Sequence, residues 1–131
     1  MIRTDLIAPV SELLERQAKR FPGKIAYSDA YRAITYTDLE TETRNLATQL
    51  KAHGLSDGGA VALWLPNSVD WVVACFAVVR AGGLCVPISY DSTKTEVAYR
   101  LEDAACDFVI TKSEKVAMLD AIAADGPDPS H

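Results

Sequence analysis

The sequence predicts an α/β domain: a doubly wound, mainly parallel sheet with flanking helices, preceded by an N-terminal helix and a β-hairpin. Three observations lead there. Apolar runs of strand length, "AVALWL", "LCVPIS" and "DFVIT", alternate with segments of helical length. Those runs are nearly uninterrupted, as in strands covered on both faces. Strand, helix, strand, helix, strand in that order then favours parallel pairing with right-handed crossovers. With 131 residues, 49% of them hydrophobic, the chain is large enough to close one core.

The first element is a helix in "VSELLERQAKRFPG", which sets Val10, Leu13, Leu14, Ala18 and Phe21 on one face, with Ser11 as its expected N-cap. Pro22 and Gly23 end it. "KIAYSDA" and "RAITYT" follow as a hairpin around the turn Asp29-Ala30-Tyr31. Thr37 and Glu40 have capping-box spacing, so a helix is expected to open at Thr37, with Leu39, Leu46, Ala47 and Leu50 as its buried stripe. Lys51 and His53 suit its negative end, and Gly54 closes it.

"AVALWL" is the first sheet strand. "VDWVVACFAVVR" is apolar almost all round, and periodicity alone does not distinguish helix from strand. Its length and punctuation decide for a helix: Asn67 or Ser68 as N-cap, Asp70 in the first turn, Arg80 in the last and Gly82 beyond. "LCVPIS" is the next strand. Thr93 with Glu96 repeats the capping-box spacing, and Val97, Leu101 and Ala105 mark the inward face of that helix. "DFVIT" and a weaker helix in "EKVAMLDAIAA" complete the series; residues 126–131 read as a loose tail after a unit of residues 1–125.

Composition narrows the function. Thirteen Lys and Arg against eighteen Asp and Glu give a net charge of −5, and the basic residues are not clustered, which argues against nucleic acid as a partner. The longest apolar run, Val69 to Val79, is interrupted by Asp70 and falls short of the roughly 20 residues of a membrane span. "MIRTDLIAPVSELLERQ" does not read as a secretory signal, so the cytoplasm is the expected compartment. Cys75, Cys85 and Cys106 are odd in number, far apart and without His at metal-ligand spacing; they read as small core residues in a reducing compartment.

A phosphate-cradling glycine turn follows a strand and opens a helix. Gly82-Gly83 in "VVRAGGLCVPIS" follows a helix and precedes a strand, so it reads as a helix stop. The strand-to-helix turns, where α/β sheets bind ligands, are "LPNS" and "SYDSTK", neither glycine-rich. A nucleotide site made by this chain alone is therefore not expected. Asp38, Glu40 and Glu42 read as exposed acids in the first turns of a helix, His53 as a helix-end residue and His131 as part of the tail. No Ser/His/Asp arrangement emerges. Trp64 and Trp71 flank one strand-to-helix turn, as core residues or as an aromatic ligand wall. No catalytic, cofactor-binding or metal residue is assigned.

Two stretches carry a resemblance. Ile34-Thr35-Tyr36-Thr37-Asp38-Leu39 resembles the first core motif of the adenylate-forming superfamily, and Val79-Arg80-Ala81-Gly82-Gly83-Leu84-Cys85-Val86-Pro87-Ile88 resembles the second. "LLERQAKRFPGKIAYSD", the Leu-Pro-Asn-Ser turn with Trp71 after it, and "EVAYRLEDAACDFVIT" extend the similarity over roughly residues 10–112. The Leu-Pro-Asn-Ser and Asp-Trp combination and "PISYDSTKTEVAYRLED" look more like acyl-CoA synthetases than peptide-synthetase adenylation domains. Gly59, where an acidic residue is common, and "DAACD", where a Ser-Gly pair is common, depart from the pattern.

The resemblance implies a part of a larger N-terminal domain from an ATP-dependent acid–CoA ligase. The parent would use ATP, Mg²⁺ and CoA on a small carboxylic acid, with the phosphate loop, the ribose-binding acid and the catalytic Lys beyond His131. The chain alone is then expected to be inactive, to bind no cofactor, and to associate with the remainder of its parent or with itself through the cut face. Two alternatives stand: an adenylation domain that loads a carrier protein, and a stand-alone, non-catalytic interaction module.

Overall fold

The computed structural model of the chain describes residues 10–125, Val10 and Ser11 by backbone alone; the expected tail, 126–131, lies outside them. The elements are α1 (Val10–Arg20), β1 (Ile25–Ser28), β2 (Ala33–Thr35), α2 (Tyr36–Ala52), β3 (Ala60–Trp64), α3 (Val69–Arg80), β4 (Leu84–Pro87), α4 (Lys94–Asp103), β5 (Cys106–Thr111) and α5 (Val116–Asp125), with a 3-10 turn at Ser113–Lys115 before α5. No helix among the described residues is long and apolar enough to cross a membrane.

The sheet has the order β4-β3-β5, all parallel, and β1-β2 is a separate antiparallel hairpin. Since β4 lies on one side of β3 and β5 on the other, the connections through α3 and α4 run in opposite directions, and crossovers of one hand place those helices on opposite faces. The alternation of side chains along β3 agrees. Val61 and Leu63 pack with Ala74 and Val78 of α3 and Ala47 and Leu50 of α2. Ala62 and Trp64 point the other way, onto Val97 of α4 with Met118, Leu119 and Ile122 of α5. Both faces of β3 are covered, which is why its sequence is apolar at every position. A third cluster, Leu14, Ile34, Leu39, Val69 and Val73, fastens α1 and the hairpin onto α2 and α3. Tyr27 meets Phe76 edge-on, with ring centroids 6.2 Å apart.

The predicted strands, the hairpin and the doubly wound arrangement are all present, and so are several predicted caps. Ser68 accepts from Trp71 N–H at the start of α3, and Thr93 accepts from Glu96 N–H at the start of α4. Gly54 and Gly82 follow α2 and α3 with φ of +105° and +83°.

Four expectations are corrected. The cap of α2 is Thr35, which accepts from Asp38 N–H, whereas the Thr37 hydroxyl donates to Pro22 O. Glu40 is therefore free of any capping role; it is buried and pairs with Arg80 and Arg44. In α1 the expected apolar face is only partly covered: Leu14 is buried but Leu13 and Phe21 are exposed, and Phe21 lies beneath the cations of Arg20 and Lys24. Val10 and Ser11 both have helical backbone within α1, so Ser11 is not its cap. Ala105 lies beyond the end of α4, exposed and at φ +50°, because the chain turns there into β5.

Candidate functional site

The sheet puts the two turns singled out in the sequence side by side. Leu65, Pro66 and Asn67, leaving β3, and Ile88, Ser89, Tyr90 and Asp91, leaving β4, wall a cleft of about 440 Å³, with Trp71 from α3 on its side. This is the carboxyl edge of a parallel sheet, where such folds take ligands. The two tryptophans have separate fates. Trp64 is fully buried, its Nε1–H donating to Ser89 O at 3.1 Å, and is core; Trp71 lines the cleft.

One end of the cleft is braced from below. The Lys115 ammonium lies 5.0 Å from the Trp64 ring centroid and 4.5 Å from that of Tyr90. The Tyr90 hydroxyl donates to Glu114. Burial, then the hydrogen bond to Glu114 and its charge, push the Tyr90 phenol up to about 12. The ring is thus held in place as a neutral donor already committed to a partner.

A smaller hollow of about 280 Å³ adjoins it, lined by Asp29, Arg32, Asp70 and Lys112 among others. Its charges largely answer one another. Arg32 pairs with Asp70 at 2.8 Å and with Glu42 at 3.4 Å. Asp29 Oδ1 accepts from the N–H groups of Tyr31 and Arg32, and its Oδ2 accepts from Val69 N–H at 2.8 Å. Those bonds, led by the one from Val69, hold the Asp29 carboxyl below its ordinary range.

A triphosphate needs cationic or unspent N–H donors. The residues lining the larger cleft include no Lys or Arg and one acid, Asp91. The first turn of α3 spends Val69 N–H on Asp29 and Trp71 N–H on Ser68 Oγ, and α4 spends Glu96 N–H on Thr93. The residues lining the larger cleft do not fit the phosphates of ATP with its Mg²⁺. They suit the neutral or aromatic part of a ligand.

The glycines lie at the opposite end. Gly82-Gly83 precedes β4 and Gly58-Gly59 precedes β3, and the two turns pack back to back: Gly58 N–H donates to Gly82 O at 2.8 Å and Leu84 N–H to Gly59 O at 2.8 Å. Of the other acids and histidines, Asp38 is exposed, Glu42 half-buried and bonded to Arg32, and His53 caps the end of α2. His131 lies outside the described residues. Sequence reasoning missed Asp29, Arg32 and Glu40 as junction residues; the Asp29-Ala30-Tyr31-Arg32 turn is the one signal that pointed toward any of them, since Asp favours turns that bond back to its own carboxylate.

The family model for AMP-binding enzymes matches residues 14–131. The chain belongs to the AMP-binding enzyme family. Among relatives, the AMB antimetabolite synthetase AmbB of Pseudomonas aeruginosa is 37% identical over 110 residues, 82% of this chain and 9% of that protein. A long-chain-fatty-acid–CoA ligase of Bacillus subtilis is 35% identical over 102 residues, 78% of this chain and 18% of that protein. The chain thus spans less than a fifth of either. Among solved structures, anthranilate CoA ligase AuaEII in complex with anthranoyl-AMP superposes with a TM-score of 0.86 at 26% identity, over 97% of this chain and 25% of that one. The inhibitor-bound N-terminal domain of FACL13 from Mycobacterium tuberculosis gives 0.83 at 27% identity, over 95% and 32%. Both motif stretches of this member of the AMP-binding enzyme family now have places: Ile34–Leu39 is the β2–α2 junction, and Val79–Ile88 is the end of α3, the glycine turn and β4.

Proposed function

We propose that this chain is the N-terminal, scaffolding portion of an ATP-dependent acid–CoA ligase, with residues 1–125 forming part of its N-terminal subdomain. The parent joins a carboxylic acid to the α-phosphate of ATP, releasing pyrophosphate, and the CoA thiol then displaces AMP to give the thioester. The observation that carries this reading is the cleft at the carboxyl ends of β3 and β4, walled by Trp71 and Tyr90 with no Lys or Arg in its lining, in a chain of the AMP-binding family. Donors for the triphosphate and its Mg²⁺ come, on this reading, from polypeptide outside these residues. The cytoplasm, where ATP and CoA are held, is the proposed compartment.

A second reading, an adenylation domain that loads a carrier protein, draws on likeness to proteins named as synthetases and not as CoA ligases, AmbB at 37% identity among them. The full-length protein separates the two. Acid-dependent ATP–pyrophosphate exchange is expected under either; acyl transfer to CoA supports the first, and transfer only to a carrier protein's thiol supports the second. The chain alone is expected to give no heat of ATP binding in calorimetry, and tight binding there would overturn the scaffolding assignment. It is also expected to self-associate on size-exclusion chromatography, since β4 and β5 are edge strands and Leu84 on β4 is 59% exposed.

A further inference from the structure

Outside the cleft, the described residues bring two thiols together. Cys75 on α3 and Cys85 on β4 place their sulfurs 3.6 Å apart, and Cys85 Sγ–H points at both Cys75 Sγ and Cys75 O, the latter at 3.5 Å. Both residues are free thiols and half-buried, packed where α3 lies against β4. We propose that Cys75 and Cys85 are a dithiol modification site that closes to an intrachain disulfide under a peroxide and reopens under a dithiol reductant. An S–S bond of about 2.05 Å requires the sulfurs to approach by roughly 1.5 Å.

The step balances as a two-electron oxidation. The Cys75 thiolate attacks hydrogen peroxide, forming a sulfenic acid and releasing hydroxide, which takes up the proton that Cys75 gave away. The Cys85 sulfur then attacks the sulfenic sulfur, the S–S bond forms, and water leaves with the Cys85 proton; in sum, two thiols and one peroxide give one disulfide and two waters. The order follows from the contact. Burial, the hydrogen bond to Cys75 and the charge of Cys75 push the Cys85 thiol up to about 12, so Cys85 is the poorer first nucleophile.

The site is placed to matter. The link fastens the middle of α3 to an edge strand, and the far ends of these same elements, Trp71 and Ile88, wall the carboxyl-end cleft. The third thiol, Cys106, lies on β5 and packs with the cluster on the other face of the sheet, so it serves as an internal reference. Disulfides that form in reducing compartments are usually transient and redox-responsive.

The test needs neither ATP nor an acid substrate, and so fails or succeeds independently of the function proposed above. The intact protein is titrated with hydrogen peroxide, alkylated and digested with trypsin, which cuts after Arg80 and separates the two thiols. The expected product is peptide 52–80 joined to peptide 81–94 with the loss of two hydrogens, while Cys106 in peptide 101–112 is still alkylated, and dithiothreitol restores both thiols. In Cys85→Ser, dimedone is expected to trap a sulfenic acid on Cys75; in Cys75→Ser, Cys85 is expected to stay alkylatable. The proposal is overturned if Cys75 and Cys85 stay free at a dose that consumes Cys106, if the bridge runs through Cys106 or between chains, or if dimedone labels Cys85 in preference to Cys75. Circular dichroism of both serine variants establishes that each is folded when labelled.

Discussion

Arg80 Nη2 lies 3.2 Å from Glu40 Oε1, and the two side chains are 7% and 10% exposed. Arg80 also donates through Nη1 to Glu40 O and Thr43 Oγ1, both at 3.1 Å, so a cation from the last turn of α3 fastens the first half of α2. Taking one partner from a buried pair leaves the other charge without its compensation, which costs about 3–5 kcal/mol, whereas replacing both with apolar groups is often close to neutral. Arg80→Met is expected to lower unfolding free energy by about 3 kcal/mol in urea denaturation, and Glu40→Leu with Arg80→Met to recover a large part of the loss. A double mutant no more stable than Arg80→Met would mean that Glu40 contributes nothing as a partner.

The Asp29 carboxylate joins the hairpin turn to the start of α3 by accepting from Tyr31, Arg32 and Val69. Its affinity for a proton is lowered in the folded state, so its contribution to stability is present above the ordinary carboxylate value and is lost as pH falls through the lowered one. The wild type is therefore expected to lose urea resistance steeply below about pH 4. Asp29→Asn lacks an acceptor on one side of the amide and is expected to be weaker than wild type at neutral pH, with a flatter acid limb. Parallel acid limbs in the two proteins would show that other carboxylates govern this range.

Ala105 takes φ +50° where α4 turns into β5, and its exposed side chain gains no packing from that strain. A left-handed conformation costs a non-glycine residue about 1–2 kcal/mol, and glycine returns about 0.4–1 kcal/mol of that through the extra freedom of the unfolded chain. Ala105→Gly is expected to raise the thermal midpoint slightly, by the equivalent of about 0.5–1 kcal/mol. Ala105→Val should do the reverse, since a β-branched residue tolerates this region least. Equal midpoints for all three proteins would mean that the turn relaxes at no cost.

What was legible in the sequence follows from the range of the interactions that set it. The central strand β3 was legible because burial on both faces makes every position apolar, β4 and β5 were legible as mainly apolar runs of strand length, and Ser68, Thr93, Gly54 and Gly82 were legible because a cap is decided within a few residues. Thr35 and Thr37 show the limit. Each has an acid three residues on, and the choice between them is made by distant partners: Tyr36 N–H donates to Lys24 O, Thr37 N–H to Pro22 O, and Arg80 draws Glu40 inward. The same reason hid the junctions of the candidate site. Asp29 and Val69 are 40 residues apart, as are Glu40 and Arg80, and no local pattern reports such a meeting. Leu13 and Phe21 shared the apolar helical stripe of Leu14, but periodicity states which face is apolar and not how much of it is covered.

The glycine pair offers a sharp separation of scaffold from ligand site. A Cβ on Gly83 would lie 3.0 Å from Gly59 O and 3.1 Å from both Leu55 Cδ2 and Val78 Cγ1, so backbone and core would have to move. At Gly82 the obstacle is conformational, φ +83°, with Asp57 Oδ1 2.7 Å from the same Cβ position on a side chain able to swing aside. Overpacking of the first kind costs about 1–3 kcal/mol and the left-handed penalty of the second about 1–2 kcal/mol. Gly83→Ala and Gly82→Ala are each expected to lower stability by such amounts in urea titrations. This turn stands at the amino edge of the sheet, across its full length from the carboxyl-end cleft. In the full-length protein the folded fraction of either variant is therefore expected to keep the wild-type KM for ATP. A glycine turn that held phosphate would give the opposite pattern, a raised KM for ATP with stability little changed, and that result would move the nucleotide site to this end of the sheet.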